Sequence, residues 1–275
     1  MRYSIWDPTG NITALVEDEV EIELQPHVAH RIMMRHPEVE QVGFVRALDA
    51  TGLDDAVAEL RMAGGEFCGN ASMSAATWYV ETCCTGEEAL GSTVLLQASG
   101  AAKPVRVEVG PAVDGLHATS IAMPKARAIE RVSVDMAGSD FELPVVRFEG
   151  ISHVIIEEAS LAYELCENAT LAEKCARAWC AALGEDGLGL MFLSGAGTKR
   201  ELKPLVYVPT GDTMYWENSC ASGSAAVGMY LAHDAGSSVE VALEEPGGVL
   251  RVCADEWGSA TLYGSARCVA SHNLL

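Results

Sequence analysis

Two stretches of this 275-residue chain echo one another, and that echo constrains the fold more than any other feature. Cys68-Gly69-Asn70-Ala71-Ser72-Met73-Ser74-Ala75-Ala76 lies in the first half and Cys220-Ala221-Ser222-Gly223-Ser224-Ala225-Ala226 in the second. Each joins a cysteine to small polar residues and then to an Ala-rich stretch that reads as a buried helix. Each is followed by glycine and a strand, Gly100 before Val105-Arg106-Val107 and Gly247-Gly248 before Val249-Leu250-Arg251-Val252. That is the pattern of a duplicated unit with one cysteine motif per half. The expected fold is α/β (α+β), with two pseudo-symmetric halves, each a curled, mainly antiparallel sheet around a central helix. The halves are expected at 1–118, completed by the C-terminal strand 264–275, and at 119–263, with the join between Val113 and Lys125.

Apolar, β-branched runs predict strands at Ile12–Val16, Val42–Leu48, Thr93–Ala98, Val105–Val109, Val145–Phe148, His153–Glu157, Leu190–Leu193, Leu205–Val208, Val239–Leu243 and Val249–Cys253. Helices are predicted at Pro26–Arg35, Asn70–Glu81, Thr170–Leu183 and Ser222–His233. In the third, Leu171, Cys175, Trp179 and Leu183 form one apolar stripe.

Charge narrows the function. With 18 basic and 39 acidic residues the formal charge is −21, so phosphate backbones and anionic lipid surfaces are repelled, and no nucleic-acid or membrane partner is expected. No run of eighteen apolar residues exists to span a bilayer. Met1–Gly10 lacks the apolar stretch of a signal peptide, so a cytoplasmic protein is expected. The nine cysteines include no Cys-x-x-Cys pair, which argues against a zinc ribbon or a redox pair. Most are expected to be small buried hydrophobes. No metal-ligand cluster, Schiff-base lysine motif or phosphate-cradling loop stands out, so no cofactor is expected.

A cysteine at a helix start has chemical consequences. The first turn leaves N–H groups unpaired and carries partial positive charge. It therefore lowers the pKa of an adjacent thiol and seats a carboxylate. If both helix starts aim at one carboxylate, its α-carbon lies between two sulfurs. One thiolate then removes the α-proton while the opposite thiol protonates the other face, which inverts the stereocentre.

Phe67-Cys68-Gly69-Asn70-Ala71 and Asn218-Ser219-Cys220-Ala221-Ser222-Gly223 resemble the paired signatures of the diaminopimelate epimerase superfamily of pyridoxal-phosphate-independent racemases. Supporting segments are Thr9-Gly10-Asn11, Gln41-Val42-Gly43-Phe44, Gly150-Ile151-Ser152-His153 and Glu245-Pro246-Gly247-Gly248. Within the superfamily, Pro8-Thr9-Gly10-Asn11, Glu40-Gln41-Val42-Gly43-Phe44, Glu66-Phe67-Cys68-Gly69-Asn70-Ala71 and Trp216-Glu217-Asn218-Ser219-Cys220 are most similar to the histidine racemases of opine-metallophore biosynthesis. The resemblance implies two similar halves with the active site between them, Cys68 and Cys220 as the two bases, and an amino acid, histidine first, as the small-molecule substrate. It implies substrate-binding roles for Asn11, Glu40, Gly69, Asn70, His153, Glu217, Asn218, Ala221 and Ser222. A homodimer is left open.

The departures bear on specificity. Gly211–Trp216 contains no basic residue where diaminopimelate epimerases carry the arginine that grips a distal carboxylate, and Ile151 replaces an asparagine. A second substrate carboxylate would lack its charge partner. The side-chain candidates are Glu40, Gln41, Asp212, Trp216 and Glu217, a set that suits a side chain with N–H donors such as imidazole. Other readings are a diaminopimelate epimerase, a racemase of another small amino acid, a non-catalytic amino-acid-binding protein, or a hydrolase built on a Cys68–His153 dyad.

Overall fold

A computed structural model describes residues 1–48, 55–85, 91–136 and 138–273. The chain divides into two compact units, Met1–Ala122 with Tyr263–Leu275, and Met123–Leu262; residues 274 and 275 lie outside the described residues.

In the first unit the strands are β1 (Arg2–Asp7), β2 (Thr13–Val16), β3 (Gln41–Ala47), β4 (Ala58–Met62), β5 (Ser92–Ala98), β6 (Val105–Val113) and β7 (Leu116–Ala122). They neighbour one another in that order. The second unit holds β8 (Ala128–Met136), β9 (Ser139–Arg147), β10 (Ser152–Glu157), β11 (Leu188–Ala196), β12 (Lys199–Val208), β13 (Thr213–Trp216), β14 (Val239–Glu245) and β15 (Gly248–Ala254). The last strand, β16 (Ala260–Asn273), pairs antiparallel with β1 from Asn273 opposite Arg2 to Arg267 opposite Asp7.

Most ladders are antiparallel. Among the described residues the parallel ones are β2 with β3, β4 with β5, β10 with β11, and β12 with β14. A parallel pair needs a long crossover, and each of these four is bridged by a helix: α1 (Gln25–Arg35), α2 (Gly69–Cys83), α3 (Ala169–Leu183) and α4 (Ala221–Ala235) respectively. The run β2-α1-β3-β4-α2-β5-β6 is thus repeated as β10-α3-β11-β12-α4-β14-β15, which is the duplication in topological form.

The helices of a unit differ because their sequences do. In α1 only Gln25, Val28, Ala29 and Ile32 are buried, so it lies on the sheet by one face. In α3 the stripe of Cys175 and Trp179 is buried and Leu171 and Leu183 pack against the same core. By contrast α2 and α4 are buried along nearly all of their length up to Val80 and Ala232. Only a helix of Ala, Ser and Gly is thin enough for strands to approach on several sides. α2 packs on β2 to β7, and α4 on β8 to β11, β14 and β15.

The cysteines depart from expectation. All nine are free thiols, but only Cys175, Cys180 and Cys220 are buried, while Cys83 and Cys268 are exposed. Cys83 sits in the last turn of α2, and Cys268 belongs to the polar outer part of β16.

Candidate active site

Both motif cysteines cap their helices. The Cys68 sulfur accepts from the Ala71 N–H and the Cys220 sulfur from the Gly223 N–H, each at 3.4 Å. Both residues have extended backbones, with φ −131° and −127°. That geometry turns the side chain back over the first helical turn, as in an Asp or Ser cap.

Around Cys68, in the first unit, a chain of amides runs to a carboxylate. The Cys68 thiol donates to Gln41 Oε1 at 3.0 Å. Gln41 Nε2 donates to Asn11 Oδ1 and, at 2.9 Å, to Thr13 Oγ1. Asn11 Nδ2 donates to Glu40 Oε2 at 2.8 Å. A carboxylate only accepts, so Glu40 fixes which end of the Asn11 amide faces it; that in turn fixes Gln41, whose carbonyl is left for the thiol. Asn11 is buried, as are Gly69 and Asn70 in the first turn of α2; Glu40, Gln41 and Cys68 are half-buried.

At the other motif, in the second unit, the surroundings are acidic. Cys220 is 4% exposed, and its thiol is pushed well above the usual range by burial first and then by the Glu217 and Glu245 carboxylates. The helix-start effect is present, through the Gly223 N–H, but it is outweighed. The expected lowering of this thiol is therefore reversed. Ser222 Oγ stands 3.7 Å from Cys220 Sγ and 3.0 Å from His153 Nε2. His153 is fully buried and held neutral, its pKa drawn down to about 3 by burial. Its Nδ1 has no partner among the described residues, and a buried lone pair costs less than a buried orphan N–H. The proton therefore sits on Nε2, donated to Ser222, whose own hydroxyl is free to point at the sulfur. Glycine permits this crowding: a Cβ on Gly189 would overlap His153 Nδ1, and one on Gly223 would overlap the Met191 sulfur.

Glu245, singled out in sequence only as part of a Glu-Pro-Gly-Gly segment, lies under this helix start. Its carboxylate accepts from the Cys220 N–H at 2.6 Å and from the Ser224 hydroxyl. Asn218 is exposed, and its carbonyl accepts from the Gly247 N–H at 2.7 Å.

Two side-chain candidates are redirected by their neighbours. Asp212 is exposed and ion-paired with Arg177 from α3, whose guanidinium also lies 4.6 Å over the Tyr207 ring. Trp216 stacks on Phe192 at 5.6 Å, which makes it part of the second unit's core.

Among the described residues no group of three or more His, Cys, Asp and Glu is arranged to hold a metal ion, and no helix is long and apolar enough to cross a membrane.

The family model described as the histidine racemase CntK N-terminal domain matches residues 1–269. A histidine racemase from Staphylococcus aureus is 25% identical over 254 residues, covering 92% of this chain and 88% of that protein. Another from Fusobacterium nucleatum is 30% identical over 227 residues, covering 82% and 79%. Among solved structures, a Bacillus anthracis phenazine biosynthesis protein of the PhzF family matches with TM-score 0.68 at 17% identity, over 100% of this chain and 99% of that one. A probable proline racemase from Agrobacterium radiobacter matches with TM-score 0.67 at 12% identity, over 100% and 92%. These structural likenesses show the fold.

Proposed function

The chain belongs to the histidine racemase CntK N-terminal domain family and is an isomerase of the racemase and epimerase kind; on that premise we propose that it interconverts L- and D-histidine without a cofactor, Cys68 and Cys220 serving as acid and base. One sulfur, as thiolate, takes the α-proton; the electron pair left on carbon is delocalised into the α-carboxylate. The other sulfur, as thiol, gives its proton to the opposite face and becomes the thiolate. The two thiols exchange protonation states, and nothing else is consumed.

The observation that carries this reading is the repetition itself. Each unit presents a cysteine capping a buried small-residue helix, in the same backbone conformation and with the same sulfur-to-amide hydrogen bond. A structural cysteine needs no such duplicate. The first-turn amides of Gly69, Asn70, Ala221 and Ser222 suit the α-carboxylate. The amide chain from Asn11 and Gln41 and the His153–Ser222 pair suit the two sulfurs.

Histidine as substrate rests on the 25–30% identical relatives and on Glu40. Its half-buried carboxylate, held by Asn11, suits an imidazole N–H. Asp212 leaves the side-chain set, being committed to Arg177. A second carboxylate on the substrate would meet Glu40 or Glu217 and repel it.

The test is a screen of L-amino acids in deuterium oxide, with α-proton exchange read by NMR. Histidine should exchange fastest, and diaminopimelate slowly or not at all. Faster exchange of diaminopimelate would overturn the substrate assignment.

A further inference from the structure

At the same topological place, where the strand after the helix ends, the two units hold different parts of the motif by different chemistry: the approach to Cys68 in the first, the helix start itself in the second. In the first unit Ser99 follows β5; its hydroxyl donates to Glu66 O at 2.7 Å and accepts from the Met62 N–H at 2.9 Å. A Cβ on the next residue, Gly100 (φ +70°), would overlap the Phe67 backbone. In the second unit the corresponding brace is the carboxyl of Glu245, 5% exposed, at the end of β14. One half thus uses a neutral hydroxyl and close backbone contact, and the other a buried acid that holds the Cys220 N–H.

We propose that Glu245 is a positioning residue for the Cys220 half-reaction: it fixes the first turn of α4 by its two hydrogen bonds and, by carrying its own proton, leaves room for the negative charge that Cys220 acquires when it gives its proton up. This rests on the reading of Cys220 as an acid–base group. In that step the Cys220 S–H bond breaks, a C–H bond forms on the substrate, and the charge moves from substrate to sulfur. An ionised Glu245 beside the sulfur would oppose it.

The surroundings support such a role. Burial pushes the Glu245 carboxyl up to about 8, against the pull of the Ser224 hydroxyl and the Cys220 N–H and helped by the nearby Glu217. The titratable groups facing it are Cys220 and Glu217, with His153 on β10 behind Ser222. The brace survives protonation, since a carboxyl O–H on Oε1 can donate to the Ser224 oxygen while Oε2 still accepts the Cys220 N–H. Holding α4 alone would not need an acid, since an uncharged amide could accept the Cys220 N–H and donate to the Ser224 oxygen equally well.

The experiment is alkylation of Cys220 by iodoacetamide in the full-length protein between pH 6 and 10, without substrate, read by mass spectrometry of the Cys220 peptide. Wild type is compared with Glu245→Gln, which keeps an acceptor for the Cys220 N–H but cannot ionise. The two should react at similar rates near pH 6, and the variant should pull ahead by about tenfold or more once the pH passes 8, where the wild-type carboxyl ionises. A rate ratio that does not change with pH would reduce Glu245 to a structural brace and overturn the proposal. If Glu245→Gln does not fold, the wild-type profile decides: its rise should flatten above pH 8, and a uniform single-thiol rise would overturn the proposal. The racemase reading fails separately, through absence of α-proton exchange in wild type.

Discussion

Cys68 and Cys220 share a motif, a backbone conformation and a capping hydrogen bond, yet the groups around them differ. Cys68 is half-buried and faces an amide carbonyl at the end of a neutral chain anchored by Glu40. Cys220 is buried, with Glu217 and Glu245 beside it and a neutral hydroxyl–imidazole pair behind. A helix start does not, then, by itself decide a thiol's protonation. Its favourable field acts through one turn, whereas loss of water and the neighbouring Glu217, joined by Glu245 once that carboxyl ionises, act directly on the sulfur. Cys220, dry and with acidic neighbours, holds its proton hard, which suits a pair in which one member rests as thiol.

The largest effects should come from removing either member. Cys68→Ala and Cys220→Ala are each expected to abolish racemisation of histidine, measured by polarimetry or chiral chromatography. Cys→Ser at either position should cost about three orders of magnitude or more, since proton transfer by a positioned group is worth about 10²–10⁴-fold and a hydroxyl is a far weaker base. Near-normal turnover by one serine variant would break the symmetry of roles.

Next in size is the contrast in reactivity. At pH 7.5 iodoacetamide should modify Cys68 before Cys220, by about tenfold or more, because the thiolate is the nucleophile and burial suppresses it at Cys220. Peptide mapping of partially alkylated protein reads the order, and Cys220 reacting first would reverse the comparison. The exposed Cys83 and Cys268 should alkylate as well, without loss of activity.

Glu40→Gln sharpens the Cys68 side. It removes the charge that anchors the amide chain and, in the proposed reaction, the partner of the imidazole. We expect kcat/KM for histidine to fall by roughly ten- to a hundredfold, the scale of one charged hydrogen bond of about 1.5–3 kcal/mol. An unchanged value would detach Glu40 from specificity.

The smallest effect is on stability and belongs to the Cys220 side. His153 has a folded pKa near 3, below its ordinary value of 6.5, so the unfolded chain binds the extra proton first. Stability should therefore be fully present above pH 6.5 and fall as the pH drops from there toward 3, by an order of a few kcal/mol. Glu245 works in the opposite sense. Its folded value of about 8 lies above the ordinary 4.5, so its contribution to stability is lost as pH rises from 4.5 through 8. Denaturant midpoints between pH 4 and 9 should thus pass through a maximum, and Glu245→Gln should flatten the alkaline side.

What could be read from the sequence was what is local in it. The motifs announce α2 and α4 because a run of small residues after a capping cysteine is legible without knowing its neighbours; both helices begin one residue from where they were expected and run slightly longer. β1, β4, β7, β8 and the short β13 are not announced by the sequence, for a physical reason. Arg2–Asp7, Ala58–Met62 and Ala128–Met136 carry charges or helix-favouring residues among their apolar ones, and their strand conformation is imposed by pairing with β16, β3 and β9. β7 (Leu116–Ala122) falls where only a join was expected, although its burial alternates as a strand's should.

In the site, register hides the rest. Gln41 reaches Cys68 because β3 lies parallel to β2 with Gln41 opposite Thr13, and Glu245 reaches Cys220 because β14 ends beneath α4. Neither contact has a local signature. Asp212 looked like a specificity residue because it precedes the second motif, and only the fold reveals that Arg177 claims it.

If two sulfurs serve opposite faces of one carbon, solvent label enters only one enantiomer at early times. L-histidine is incubated with the wild-type enzyme in deuterium oxide and stopped early, and the enantiomers are separated and analysed for α-deuterium; the experiment is then repeated from D-histidine. A thiol that has taken the substrate's proton can only return that proton, while the opposite thiol delivers solvent deuterium. Label is expected in the product enantiomer and none in the residual substrate, from both directions. Early deuterium in the unreacted enantiomer to the same extent as in the product would mean a single exchanging base, and would contradict the two-sulfur mechanism.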